Sequence, residues 1–128
     1  MKHTICVVED NADNRLLVHA ILDDLYDVIE YGDGPSALDG LKIVHPDVLL
    51  LDISLPEMDG TEVLARLRRN PEMRTLPVIA LTAHAMTGDR ARFIDAGFDD
   101  YVTKPIADEE LLLAAIARCI NRNEGVAN

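Results

Sequence analysis

The chain is short of cysteine, short of basic residues and without any long apolar run. Its only two cysteines, Cys6 and Cys119, fall inside expected core elements. So few thiols cannot frame a disulfide-stapled secreted domain, and reduced, buried side chains are expected instead. Twelve Lys and Arg stand against 23 Asp and Glu, for a formal charge of −11. Phosphate backbones demand a basic face, so nucleic acid is excluded as a direct partner. Every apolar stretch falls far short of the roughly 20 residues that span a bilayer, and no membrane role is expected. The opening residues lead into a strand-like segment with no signal-peptide pattern, so the cytoplasm is the expected compartment. Repeats, linkers and low-complexity segments are missing too. One domain is expected over residues 1–122, with 123–128 as a polar tail.

What is present is a regular alternation. Thr4 to Val8 is an apolar run ending in Glu9-Asp10. The spacing of Leu17, Ile21 and Leu25, with Leu16 and Ala20 beside them, predicts a helix over 11–25. A short strand over 27–31 is broken by Gly32-Asp33-Gly34-Pro35, and Pro35 suits the first turn of a second helix. Val48-Leu49-Leu50-Leu51 has four branched apolar residues without alternation, the pattern of a strand buried on both faces, and it stops at Asp52. A third helix is expected from Gly60, a fourth strand over 76–81 ending at Thr82, and a fourth helix from His84 to Ala96. Gly97 is its expected C′ residue. A short strand over 99–102 precedes Thr103-Lys104-Pro105, and a last helix spans 108–120. Strand then helix, five times over, predicts an α/β domain with a parallel sheet covered on both faces. Right-handed crossovers favour the flavodoxin-like (βα)5 strand order 2-1-3-4-5.

In such a sheet every strand ends on one edge, where open α/β folds place their ligand sites. That edge collects Glu9, Asp10 and Asp52, then Thr82, then Lys104. Three crowded carboxylates repel one another unless a cation sits among them. A hard divalent ion with oxygen ligands, most simply Mg²⁺, fits that need. Lys104 adds a compact positive charge and Thr82 a hydroxyl. Around a nucleophilic Asp52, these are the parts that phosphoryl transfer requires.

Four strings, V-V-E-D-N, D-I-S-L-P-E-M-D-G, L-T-A and K-P, stand after the first, third, fourth and fifth strands. With them the chain resembles the receiver domain of two-component response regulators over essentially its whole length, most closely single-domain DivK-type regulators. The resemblance implies that Asp52 accepts phosphate from a histidine kinase or histidine phosphotransfer protein. It implies Mg²⁺ on Glu9, Asp10, Asp52 and the backbone carbonyl of Ser54, with Thr82 and Lys104 on the phosphoryl oxygens. Tyr101 matches the family's switch aromatic, paired with Thr82, and the Lys104-Pro105 bond is expected to be cis. Output is expected through the fourth helix, fifth strand and fifth helix, read by a downstream protein from a free-standing regulator.

Each residue also has a plainer reading. Alone, Glu9 and Asp10 would be helix-entry acids favoured by the dipole. Thr82 could be a helix cap, and Asp59-Gly60 reads as loop and cap chemistry. Asp10-Asn11-Ala12-Asp13 lacks the glycine and closing glutamate of a calcium loop. The four histidines show no paired ligand spacing, although His84 lies near enough to Thr82 to influence water access. Leu112, Ile116 and Cys119, flanked by Leu113, Ala117 and Ile120, give the last helix an apolar arc wider than one sheet face needs, so part of it could dock a partner. A haloacid-dehalogenase-like phosphohydrolase would want an aspartate where Ser54 stands, together with cap segments. A flavin-binding fold would want a phosphate loop after the first strand. The expected role is therefore a signalling switch rather than an enzyme.

Overall fold

The chain is seen in a computed structural model, which describes residues 2–83, 89–106 and 108–125, without the side chains of 89–90 and 123–125. Strand and helix alternate as β1 (Thr4–Val8), α1 (Ala12–Leu22), β2 (Asp27–Tyr31), α2 (Gly34–Leu41), β3 (Val48–Asp52), α3 (Gly60–Arg69), β4 (Val78–Thr82), α4 (Asp89–Ala96), β5 (Asp100–Thr103) and α5 (Glu109–Gly125). All strand pairs are parallel, in the order β2-β1-β3-β4-β5. This is the flavodoxin-like arrangement the alternation calls for.

Strand alternation divides the core in two. Cys6, Val8, Leu49, Leu51, Val78 and Ala80 face α2, α3 and α4, where they meet Ala37, Leu41, Val63, Leu64, Leu67 and Phe93. Ile5, Val7, Leu50, Ile79 and Leu81 face α1 and α5, where they meet Val18, Leu22, Leu112, Ala115 and Ile116. β3 and β4 are buried along their whole length, which is why both read as unbroken apolar runs. Each aliphatic side chain fully buried in this way stabilises the fold by about 1.5–3 kcal/mol before entropy is counted.

Two helices differ from expectation. α1 stops at Leu22, and its buried line is Val18 and Leu22, while Leu16, Leu17 and Leu25 are exposed. Both sets have fourfold spacing; the crossing of the helix over β1 selects between them, and periodicity cannot. α5 runs on to Gly125, five residues past the expected end, because Asn121 to Glu124 contain no breaker. On the same helix Ile120 is buried and Leu113 and Ala117 are half-buried, so the sheet covers most of the wide arc and Leu111 is the large apolar residue left exposed. α4 is described from Asp89, and the expected start at His84 lies outside the described residues.

Candidate functional site

The register brings the strand ends together. Val8 pairs with Leu51 and Leu81 with Asp52, so Glu9 and Asp52 leave adjacent strands at one level. Thr82 pairs with Thr103, and the Lys104 N–H donates to the Thr82 carbonyl at 2.8 Å. Residues far apart in sequence thereby reach one edge. Asp52 and Glu9 are almost wholly buried, Thr82 is 5 % exposed, and Asp10 lies at the surface beside them.

Lys104 joins the two buried acids. Its Nζ lies 2.9 Å from Asp52 Oδ2 and 2.9 Å from Glu9 Oε1. The Ser54 N–H donates to Asp52 Oδ1 at 2.9 Å, so both oxygens of Asp52 carry a donor. Burial foremost, then the adjacent Asp52 carboxylate, pushes the Glu9 carboxyl above its ordinary value, with Lys104 pulling the other way. For Lys104, burial works against the charged form, but its bonds to Asp52 and Glu9 outweigh it and hold the ammonium above the usual range. The Lys104-Pro105 bond is cis.

The loop after β3 is shaped by close approach. A Cβ at Gly60 would stand 2.3 Å from the Asp52 carbonyl oxygen, so only glycine lets α3 begin so near the acid. Asp59 caps that helix, accepting from Glu62 N–H at 3.0 Å and Thr61 Oγ1 at 2.5 Å. Glu57 holds the left-handed region at φ 63°. Tyr101 is half-buried on the α4 side, its ring 5.5 Å from that of Phe93.

The acids suit a hard cation. One carboxylate oxygen each from Glu9, Asp10 and Asp52 lie within 4.8 Å of one another. Glu9 Oε2 is buried and has no hydrogen-bond partner among the described residues, a state that costs free energy unless something binds there. Oxygen-only donors, two of them nearly water-free, fit Mg²⁺ and would fit zinc or copper poorly.

Glu9, Asp10, Asp52 and Lys104 come together at the carboxyl edge of the sheet, Thr82 ends the adjacent strand β4 there, and Tyr101 packs on the neighbouring α4–β5 side. His84 lies outside the described residues. His19 bridges Glu30 at 2.8 Å and Asp23 at 3.3 Å on the surface, a packing role rather than a ligand. Sequence reasoning missed Asn14 and Arg15. Asn14 Nδ2 donates to Glu9 Oε1 at 2.9 Å, and Arg15 Nη1 donates to the carbonyls of Glu9 at 2.6 Å and Asp10 at 3.2 Å. The available signal was polarity one helical turn beyond the acid pair, on the helix that starts there.

Known proteins resemble this chain in sequence and in fold. Residues 5–116 match the response regulator receiver domain family. The chain is 41 % identical over 108 residues to the polar-differentiation response regulator DivK of Brucella ovis, covering 84 % of this chain and 88 % of that protein. It is 39 % identical over 109 residues to the signal transduction histidine-protein kinase BarA of Shigella flexneri, 84 % of this chain but only 12 % of the kinase. The crystal structure of the receiver domain of sensor histidine kinase PA1611 from Pseudomonas aeruginosa, with a magnesium ion in its active site cleft, superposes with TM-score 0.85 at 34 % identity, over 94 % of this chain and 99 % of that one. Matched along most of its length in sequence and in fold, the chain belongs to the response regulator receiver domain family of two-component signalling.

Proposed function

We propose that Asp52 is the phosphoacceptor of a Mg²⁺-dependent switch. The observation that carries this reading is Lys104 Nζ held 2.9 Å from both Asp52 and Glu9, with Asp10 completing the acidic group. An ammonium fixed against a buried carboxylate, beside oxygens suited to a divalent ion, is an arrangement for neutralising an incoming phosphoryl group.

In the proposed step an Asp52 oxygen attacks the phosphorus of a phosphohistidine on a kinase or phosphotransfer protein. The P–O bond forms as the P–N bond breaks, and the imidazole leaves with the electron pair of that bond. Glu9, Asp10, Asp52 and the Ser54 carbonyl would hold Mg²⁺, which supplies charge neutralisation when bound. Lys104 pairs with one phosphoryl oxygen and the Thr82 hydroxyl with another. Thr82 moving toward the phosphate draws Tyr101 further inward, which shifts the α4–β5–α5 surface between two states. A cleft of about 270 Å³ along β5 and α5, lined by Tyr101, Leu111, Ala115 and Arg118, supports that face as the place where a downstream protein reads the state. The setting is the cytoplasm; among the described residues no helix is long and apolar enough to cross a membrane.

Acetyl phosphate with Mg²⁺, followed by intact mass measurement, tests the reading. One phosphoryl adduct is expected on the wild-type chain and none on Asp52→Asn, with no turnover of general phosphate esters. An adduct that persists in Asp52→Asn, or that forms equally well in excess chelator, overturns it.

A further inference from the structure

Every polar atom of Glu9 but one is accounted for. Its N–H donates to the Tyr31 carbonyl at 3.1 Å, and its own carbonyl accepts Arg15 Nη1 at 2.6 Å. Its Oε1 accepts twice, from Lys104 Nζ and from Asn14 Nδ2, each at 2.9 Å. Its Oε2 is buried with no partner among the described residues. The carboxylate is therefore asymmetric: one oxygen accepts two donors, and the other, buried, has no hydrogen-bond partner among the described residues.

Asn14 is well placed to impose that asymmetry. It is the third residue of α1, and its own N–H is bonded to Asn11 Oδ1, the cap of the helix, at 3.0 Å. The start of the helix is thus pinned, and the amide reaches back to the end of β1 from a fixed point. Arg15, the next residue, ties the carbonyls of Glu9 and Asp10 to the same turn. The amide also has suitable chemistry. It donates to Oε1 without bringing a positive charge that would compete with a cation, and without a negative charge that would add to the repulsion.

We propose that Asn14 is a positioning residue for the cation site: with Lys104 it occupies Glu9 Oε1, which leaves Oε2 directed at the space between Glu9, Asp10 and Asp52. The inference rests on the metal reading given under Proposed function. The plainer alternative is that Asn14 bonds to the nearest acceptor and only steadies the helix. The two differ in what they disturb. A steadying role changes the stability of the metal-free chain, whereas a positioning role changes the affinity for the ion.

The test is calorimetric titration of the full chain with MgCl₂, with urea unfolding of each metal-free protein alongside. Alanine is favoured in helices, so Asn14→Ala retains α1 and folds. Partners that orient metal ligands typically contribute a 10–100-fold effect, so Asn14→Ala is expected to weaken Mg²⁺ binding by about tenfold or more. Asn14→Gln, which keeps the amide donor, is expected to recover most of that affinity. Mg²⁺ binding by Asn14→Ala within about twofold of wild type, far below that range, overturns the inference and leaves the functional reading standing. A loss in Asn14→Gln equal to that in Asn14→Ala overturns it as well, because the donor is then not the cause. Absence of Mg²⁺ binding by the wild-type chain removes the metal reading and the inference together.

Discussion

The two edges of the sheet use the same kinds of charged groups to opposite ends. At the amino edge, Arg68 donates to the carbonyls of Leu76 at 2.6 Å, Gly97 at 2.8 Å and Arg74 at 3.0 Å, and to Asp99 Oδ2 at 3.2 Å. Asp99 in turn accepts the Val78 N–H at 2.8 Å and Arg122 at 2.7 Å. That cluster ties α3, the α4 terminus, β4, β5 and α5 together, with both carboxylate oxygens occupied. At the carboxyl edge two buried acids share one lysine, and one oxygen has no hydrogen-bond partner among the described residues. The first arrangement serves the fold; the second leaves a buried carboxylate oxygen without a hydrogen-bond partner among the described residues, which is where the proposed cation would bind. Unsatisfied buried polarity therefore distinguishes the carboxyl edge from the amino edge better than charge itself does.

The sharpest way to break this contrast is at Arg68. Arg68→Ala takes one donor from Asp99, which keeps Arg122 and the Val78 N–H, and leaves several carbonyls without theirs. It is expected to cost about 3 kcal/mol by urea denaturation, as loss of several half-buried hydrogen bonds from one charged group does. Mg²⁺ is expected to change that loss very little, since the two edges are independent. The carboxyl edge responds the other way. At 100-fold excess over its dissociation constant, Mg²⁺ is expected to add about 2.7 kcal/mol to the wild-type chain and to retain that increment in Arg68→Ala. Asp52→Asn is expected to lose most of the increment while unfolding no earlier than wild type without metal, because one of two repelling buried acids is gone. A metal-free Asp52→Asn chain much less stable than wild type would make this edge structural after all.

Smaller effects sharpen the loop that follows Asp52. Asp59→Ala removes the α3 cap and is expected to cost about 1 kcal/mol at neutral pH. The Thr61 hydroxyl first, then the Glu62 N–H, holds the Asp59 carboxyl below its usual range. A depressed carboxyl stabilises the fold above its unfolded value of 3.8 and ceases to do so as pH falls through the folded value. The gap between wild type and Asp59→Ala in urea midpoints is therefore expected to narrow in acid. The smallest effect is at the thiols. Burial pushes Cys6 up to about 12 and Cys119 up to about 11, so neither is expected to react with a thiol reagent at pH 8 until the chain unfolds. Fast labelling of native Cys6 would mean that the core under β1 opens.

Much of this was legible without coordinates, and the reasons are local. A strand buried on both faces has to be apolar throughout, so β3 and β4 announce themselves and Asp52 and Thr82 appear where the runs stop. Gly97 takes φ 110°, a region that favours glycine, so the end of α4 could be read from one letter. Asp59 before Gly60 was likewise readable as a cap. The inward face of α1 was not, because Val18 and Leu22 repeat with the same period as Leu17, Ile21 and Leu25. Only contact with the sheet shows that Val18 and Leu22 are buried, Ile21 is half-buried beside them, and Leu17 and Leu25 are exposed.

The sequence by itself determined which residues end the strands, that the strands run parallel, and hence that acids, a threonine and a lysine gather on one edge. Those features follow from hydrophobic period and connection length, which act over a few residues. Tertiary structure alone decided the pairing: Lys104 meets Asp52 and Glu9 across 52 and 95 residues of chain, and Asn14 and Lys104 share Glu9 Oε1 while Oε2 has no hydrogen-bond partner among the described residues. Atoms so distant in sequence are brought together by strand order and register, and no local pattern records which oxygen each donor will find.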